Sequence, residues 1–397
     1  MAAFTPSGPA AVPPTIGCLE GIVRALPNTA PGLDGIGAKI VKNVWRAAPR
    51  EFHWVYAKCV EEGVIPEVWK KGRLIVIPKG NDRPLTDPKA YRPITLLPIF
   101  GKLLERVLLR CAPSLVRGIS EYQHGFSPGR STVTALQDVL TTARESQRKY
   151  VQAVFLDISG AFDNAWWPMI LLKAKQGGIP PNIYRMLVDY FINRRVGIFV
   201  GDCAEWKRST MGCPQGSVLG PTLWNLLLDD LLRLPFPLGT KMLAYADDVT
   251  LLIEANSRAE IERAAKSALE LVSSWGERNR LSFSSAKSCT MTIKGKFQRP
   301  PVIRMGTESV KSVTSTKVLG VTLDTTLFFI QHAKDMVERP GRCFGKMSQV
   351  SASSWDIRYP ALRVLYKGTY VPIVTYAAAV WVDRVGNYTV RTTLLRS

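Results

Sequence analysis

Long apolar runs are missing from these 397 residues. Nothing approaches about 18 uninterrupted apolar positions, so no helical membrane span and no membrane partner is expected. The first residues, "MAAFTPSGPAAVPPTIG", lack a basic segment leading into an apolar one, which excludes a signal peptide and predicts a disordered or extended lead-in over 1–27. Seven cysteines (18, 59, 111, 203, 213, 289, 343) form no Cys-x-x-Cys pair, and there are only three histidines. That pattern argues for reduced intracellular thiols and against a zinc or histidine-based metal centre. No GxxxxGK[ST] loop is present, which removes a P-loop ATPase or helicase. Repeats are absent, and so is any long Lys/Arg block.

Acidic residues are also few: 32 against 52 Lys and Arg, a net charge of +20. A balance of that sign points to a polyanionic partner, most often nucleic acid. The excess is concentrated. Residues 41–120 carry 15 basic and 7 acidic side chains, and residues 325–397 carry 10 and 4. Basic regions toward both ends flank a middle that holds paired aspartates, a layout suited to a positive cleft around a metal-binding floor.

Elements can be read along the chain. "NTAPGLDGI" (28–36) is a Gly/Pro/Asp loop, followed by helical spacing through Ile40, Val41, Val44 and Trp45. "RLIVIPK" (73–79) reads as a short apolar strand closed by Pro78, and "YVQAVFLD" (150–157) as a buried one. A helix is expected from about Gly101. Another starts at Pro221, with Leu223, Leu227 and Leu231 on one face. Ser257 and Glu260 form a capping-box signature before a helix that buries Ile261, Ala265, Ala268, Val272 and Trp275. "TKVLGVTLD" (316–324) is a hairpin candidate. From about Phe328 the tail reads as helical, with Trp355, Tyr359, Tyr366, Tyr370, Tyr376 and Trp381. Helices and strands alternate without regular βαβ units, so the expected class is α+β.

The stretch "AYADDVTLLI" (244–253) sets Asp247 and Asp248 side by side among apolar neighbours. Two adjacent carboxylates repel, and burying either without a partner is costly. Asp157 ends the strand of "VFLDISGAFDNAWW". Phosphoryl transfer by paired divalent ions requires carboxylates from separate segments converging on the metals, and magnesium takes oxygen ligands. An isolated Asp-Asp pair is more often only a turn. Three carboxylates on two apolar strands of a basic protein favour metal.

"YADD", "FLDISGAFD" and "GCPQGSVLGPTLWNLLLDDLL" resemble a reverse transcriptase. "APGLDGI", "IPK", "AYRPITLLP", "EYQHGFSPGRSTVTAL", "LSFSSAKS" and "KVLGVTLD" narrow the resemblance to the non-LTR, LINE-type retrotransposon enzymes, in whose order and spacing they occur. "AFDNAWWP" and "LYKGTYVPIVTYAAAVW" are similar to the branch that includes elements inserting in ribosomal RNA genes. The resemblance runs from about residue 28 to 382.

What it implies is a right-hand polymerase: N-terminal extension and fingers over 28–149, palm with part of the fingers over 150–327 and an antiparallel palm sheet, and a helical thumb over 328–397, truncated at its C-terminal end. Asp157 and Asp247 would be the principal metal ligands, with Asp248 beside them, for two Mg²⁺ ions or Mn²⁺ in their place. Lys79 and Arg92 would hold the incoming triphosphate, which suits a compact charge and a forked guanidinium. Lys79 read alone is as readily a solvated surface charge. Gln215 would approach the nucleotide, with Gly212 and Gly216 permitting close backbone approach. Lys287 would stand near the departing phosphates, although this chain has Ser284 or Ser285 where the family usually has an Asn. Phe162 would be the steric gate against a ribose 2′-hydroxyl, its alternative being a core aromatic. Gly125, Phe126 and Arg130 would touch the template, Arg130 being equally a helix-starting charge.

The implied reaction is RNA-directed DNA synthesis from a primer 3′-hydroxyl in target-primed reverse transcription. Its partners would be an RNA template, a DNA primer or target, and dNTPs. The implied setting is the cytoplasm for RNA binding and the nucleus for integration. The family's upstream endonuclease and downstream Cys/His knuckle do not fit within these residues, so a fragment is expected. The rivals are an RNA-dependent RNA polymerase, which Phe162 disfavours, and a non-catalytic RNA-binding module, which has no need of three carboxylates. Target, template RNA and oligomeric state are not encoded legibly.

Overall fold

The computed structural model describes residues 6–80, 84–201, 203–338, 341, 345 and 359–395. Trp355 and Cys343 lie outside the described residues. The elements follow the chain as α1 (Ile16–Arg24), α2 (Ala38–Ala47), α3 (Pro49–Glu62), β1 (Lys71–Pro78), β2 (Tyr91–Leu96), α4 (Ile99–Cys111), α5 (Thr132–Glu145) and β3 (Tyr150–Asp157). After them come α6 (Trp167–Gln176), α7 (Pro181–Phe191), β4 (Arg195–Val200), β5 (Cys203–Arg208), α8 (Gly220–Leu232), β6 (Thr240–Tyr245), β7 (Asp248–Ala255), α9 (Arg258–Asn279) and β8 (Cys289–Lys294). The class is α+β, with sheets that are mainly antiparallel.

Two compact units interleave along the chain. The first takes residues up to 121, 159–233 and 275–282; the second takes 122–158, 234–274 and 283 onward.

In the first unit, helices α1 to α4 pack together around a chain of aromatic rings. Trp45, Phe52, Tyr56, Trp69 and Phe100 follow one another at centroid separations of 5.0–6.1 Å, within the range where ring pairs add to area burial. The Tyr56 hydroxyl, otherwise stranded in this cluster, donates to the Phe100 carbonyl at 2.9 Å. A four-stranded sheet runs in the order β2-β1-β4-β5, with only the β1/β4 pair parallel.

Two expectations are corrected here. The lead-in over 1–27 is not wholly disordered or extended: Thr15 caps α1 by accepting from the Cys18 amide, and α1 buries Leu19, Ile22 and Val23. Those three recur at i, i+3 and i+4, a helical stripe that the surrounding prolines mask. In α2 the buried face is Ala38, Val41 and Trp45, while Ile40 and Val44 stay about half exposed.

The second unit is organised by a five-stranded sheet. A short strand at Lys311–Ser312 begins it, followed by β8, β3, β7 and β6. Leu136, Val139, Leu140 and Ala143 of α5 share a core with Val151, Ala153, Leu243, Leu252, Met291 and Ile293 of the strands. Gln152, fully buried in β3, is satisfied across the β3/β8 pair. Its amide donates to Thr290 Oγ1 at 2.6 Å and its carbonyl accepts from Thr292 Oγ1 at 2.7 Å, as a buried polar group requires. The hairpin candidate does form, from Ser315–Val318 and Val321–Asp324. At the start of α9, Ser257 Oγ accepts from the Glu260 amide, but the Glu260 carboxylate reaches the amide of Asn256, one residue before the expected partner.

No helix among the described residues is long and apolar enough to cross a membrane.

Candidate active site

The apolar runs around the aspartates do become the central strands of the second unit's sheet. β3 and β7 are antiparallel neighbours, and their last register pair is Asp157 opposite Asp248. Directly opposed residues of an antiparallel pair project from the same face, so these two carboxylates lie side by side at the end of the sheet. β6 and β7 are joined by a two-residue turn, Ala246-Asp247, closed by the Tyr245–Asp248 pair. The third carboxylate is thereby carried on the turn itself.

Burial of these carboxylates is only partial: Asp247 and Asp248 are largely exposed and Asp157 half-buried, while Ala246 and Val249 beside them are buried. The cost is mutual repulsion together with partial desolvation. Partial burial, Asp247 and Asp157, in that order, push the Asp248 carboxyl up from 3.8 to about 6.

Lys287 stands in this group. The "SFSSAKS" loop wraps the end of β3. The Ser284 amide donates to the Asp157 carbonyl at 2.9 Å, and the Asp157 amide donates to Ser288 Oγ at 3.2 Å. Ser284 Oγ accepts from the Lys287 amide at 3.3 Å, a local side-chain contact that closes the turn. The loop leaves Lys287 Nζ 3.1 Å from Asp157 Oδ2.

The residues fit a divalent cation by their chemistry. The donors are all carboxylate oxygens, converging from two strands and a turn, and one already draws an ammonium group. No ready-made cage of three His, Cys, Asp or Glu ligands exists among the described residues. Magnesium does not demand one, since it is commonly held by one or two carboxylates, waters and substrate phosphates.

Gly125 lies beside the same turn: a Cβ there would sit 2.1 Å from the Ala246 nitrogen. Phe126 is exposed with a left-handed φ of 56°, and Arg130 precedes α5 just before the capping residue Ser131.

The first unit holds the other group. Phe162 begins a single 3₁₀ turn (Phe162–Asn164), half-buried against Trp224 with ring centroids 5.1 Å apart. Its carbonyl accepts from the Cys213 amide at 2.7 Å. Gln215 is pinned by its carbonyl, which accepts from the Thr95 amide of β2 at 2.7 Å. Gly216 has φ of 120°, and a Cβ on it would lie 2.4 Å from the Thr95 carbonyl oxygen. Gly212 is pressed in the same way against the Asp163 carbonyl. Close backbone approach explains both glycines. Lys79 and Arg92 are exposed, Lys79 at the end of β1 with its amide on the Ala90 carbonyl, Arg92 on β2 opposite Ile77.

Two residues of this unit escape sequence reasoning. Asp163 accepts from Gln215 Nε2 at 3.4 Å, and burial raises its carboxyl while Gln215 and the Lys79 charge hold it down. Asp163, Gln215 and Lys79 therefore form one neighbourhood. Glu105, buried within the apolar-looking α4, accepts from Ser217 Oγ at 2.9 Å and from the amides of Val218 and Leu219 at 2.5 and 2.9 Å. It fixes the "PQGSVLG" loop at the entry to α8. A lone Glu inside a Leu-rich helix was the available signal.

Comparison with known proteins bears on both groups. The family model described as reverse transcriptase (RNA-dependent DNA polymerase) matches residues 77–323. The chain is 33% identical over 375 residues to a putative 115 kDa protein in a type-1 retrotransposable element of Drosophila melanogaster, covering 94% of this chain and 36% of the relative. It is 33% identical over 367 residues to a retrovirus-related Pol polyprotein from a type-1 retrotransposable element of Bradysia coprophila, covering 91% and 36%. The RNA-directed DNA polymerase from the mobile element jockey of Drosophila melanogaster is 27% identical over 380 residues, covering 91% and 41%. The chain thus spans about a third of the length of the first two of these relatives.

Proposed function

Because the chain belongs to the reverse transcriptase family, whose fold is a right-hand polymerase, we infer that it extends a primer 3′-hydroxyl with deoxynucleoside triphosphates on an RNA template. The setting would be a retrotransposon, as its relatives' names suggest, of the non-LTR kind and with target-primed synthesis, as its own motifs suggest. The observation that carries this reading is the register of β3 and β7, which opposes Asp157 to Asp248 with Asp247 in the adjoining turn.

Asp157, Asp247 and Asp248 would hold two Mg²⁺ ions, or Mn²⁺, and the second unit's sheet would be the palm. Divalent cations bound there would supply positive charge at the reacting phosphate. Lys287, with Nζ 3.1 Å from Asp157 Oδ2, would offer its charge to the departing phosphates.

In the first unit, Lys79 and Arg92 would bind the triphosphate from the fingers. Gln215 and Gly216 would orient the nucleotide against the β2 backbone, and Phe162 would exclude a ribose 2′-hydroxyl. Gly125, Phe126 and Arg130 would face the template, and residues from 328 on would form the thumb.

The test is primer extension on an RNA template with dNTPs and magnesium. The reading expects template-dependent DNA synthesis that ribonucleotides do not replace; synthesis of RNA instead, or none by folded protein, would overturn it.

A further inference from the structure

The turn that carries Asp247 is made from an unusual residue. In two-residue hairpins a positive φ at the first central position normally calls for Gly, Asn or Asp. Here the position is Ala246, at φ 58°. An L-residue in that region needs support from its surroundings.

The support comes from the segment Tyr122–Gly125. It runs alongside β6 as a short parallel addition, with Gln123 bridged to Ala244. The Ala244 amide donates to the Tyr122 carbonyl at 2.9 Å, and the His124 amide donates to the Ala244 carbonyl at 2.8 Å. The Gln123 side chain, 1% exposed, then turns under the hairpin. Its Oε1 accepts from the Ala246 amide at 3.2 Å and from the Gly125 amide at 2.9 Å. Both partners are N–H donors, so the side-chain atom facing them has to be the oxygen. Gly125 completes the fit. With 2.1 Å between its ideal Cβ position and the Ala246 nitrogen, any other residue would push the turn away.

We propose that Gln123 is a positioning residue for the carboxylate turn: its Oε1, with Gly125 against the backbone, locks Ala246 in the left-handed conformation and so fixes where Asp247 and Asp248 point. The inference rests on the polymerase reading for its effect on rate, but not for its effect on the turn. It also gives Gly125 a role in the turn itself, separate from any contact with template. Other residues could ligate cations from a mobile turn; a clamped one presents both carboxylates in one arrangement without reorganisation at the moment of reaction.

Gln123→Met keeps the volume and removes the acceptor. With the melting temperature checked first, this variant is expected to lose roughly a hundredfold in kcat for primer extension, the scale of a displacement of about 1 Å, with KM for dNTP and primer-template affinity unchanged. Adding Ala246→Gly should restore most of the loss, because glycine adopts the turn without a clamp. Amide hydrogen exchange at Ala246 and Gly125 should quicken by roughly tenfold in Gln123→Met while β3 amides stay as they were.

A folded Gln123→Met with normal kcat, or a defect that Ala246→Gly leaves untouched, would overturn the proposal. If Gln123→Met does not fold, Gly125→Ala takes its place: it should lower kcat at unchanged KM, and normal kcat overturns the proposal. If the unmodified protein extends no primer, the function reading has failed, and exchange at Ala246 alone decides the positioning: protection that survives loss of the Gln123 acceptor refutes it.

Discussion

Asp248 bears the cost of the site most visibly. Its carboxyl is raised to about 6 by partial burial and by Asp247 and Asp157, so the folded protein resists ionising it. A carboxyl whose folded pKa lies above its unfolded value costs stability as pH rises from about 4 through 6. Asp248→Asn should therefore stabilise the cation-free protein at pH 7. The gain should be under about 1 kcal/mol, because the carboxylate is solvent-exposed. It should vanish near pH 4 and shrink when magnesium is added to the parent protein. Thermal melts at the two pH values, with and without magnesium, measure it; a variant less stable at pH 7 than the parent would contradict the repulsion. Phe162 carries the second prediction at this scale. Removing its ring forfeits the stack on Trp224, an aromatic pair worth about 0.5–1.5 kcal/mol beyond its area burial. If Phe162 is the proposed sugar gate, the change would also open space for a 2′-hydroxyl, whose burial without a partner costs about 1–3 kcal/mol. Phe162→Ala should thus melt lower and incorporate ribonucleotides roughly ten- to a hundredfold more readily relative to deoxynucleotides. Unchanged sugar selectivity in a folded variant would leave Phe162 as a packing residue alone.

Among the elements, the entry to α8 shows how one buried carboxylate holds a loop. Glu105 reaches from α4 to two amides and a hydroxyl at the start of the helix, where a carboxylate is also favoured by the helix dipole. Glu105→Gln keeps the shape, weakens the charge-assisted bonds and turns an NH₂ toward donors. It should cost about 1–3 kcal/mol, read as a lower denaturant midpoint at unchanged slope. A midpoint equal to the parent's would show the loop is held elsewhere. Such contacts mark where sequence stops being legible. The strands of "YVQAVFLD" and "YADDVTLLI", the Pro221 helix start and the 316–324 hairpin follow from period and turn chemistry, which are local. That Asp157 faces Asp248 across the sheet is a matter of register between segments about 90 residues apart, and periodicity carries no such information. Nor does it reveal that Gln123 supports Ala246, that Glu105 is a cap, or that α1 forms within a Pro-rich start. Motif resemblance supplied the names of the site residues; distances within each unit explain why Gly125, Gly212 and Gly216 need to be glycine.

For the molecule as a whole, charge is the property that sequence and function share. A net +20, with the basic excess in 41–120 and 325–397, suits a polyanionic template and primer. Binding to primer-template should weaken steeply with salt, log K falling by about 0.7–0.9 per log unit for each phosphate neutralised. A flat response, followed by fluorescence anisotropy across a salt series, would remove the electrostatic argument for nucleic acid. The central claim is that carboxylates gathered at the end of one sheet hold the cations for RNA-templated DNA synthesis. Single-turnover extension on an RNA template by Asp247→Asn, matched with the parent for melting temperature and primer-template affinity, tests it most directly. Loss of several kcal/mol of stabilisation of the transferring phosphoryl group predicts a rate lower by about a thousandfold or more; extension within a few-fold of the parent would contradict the account.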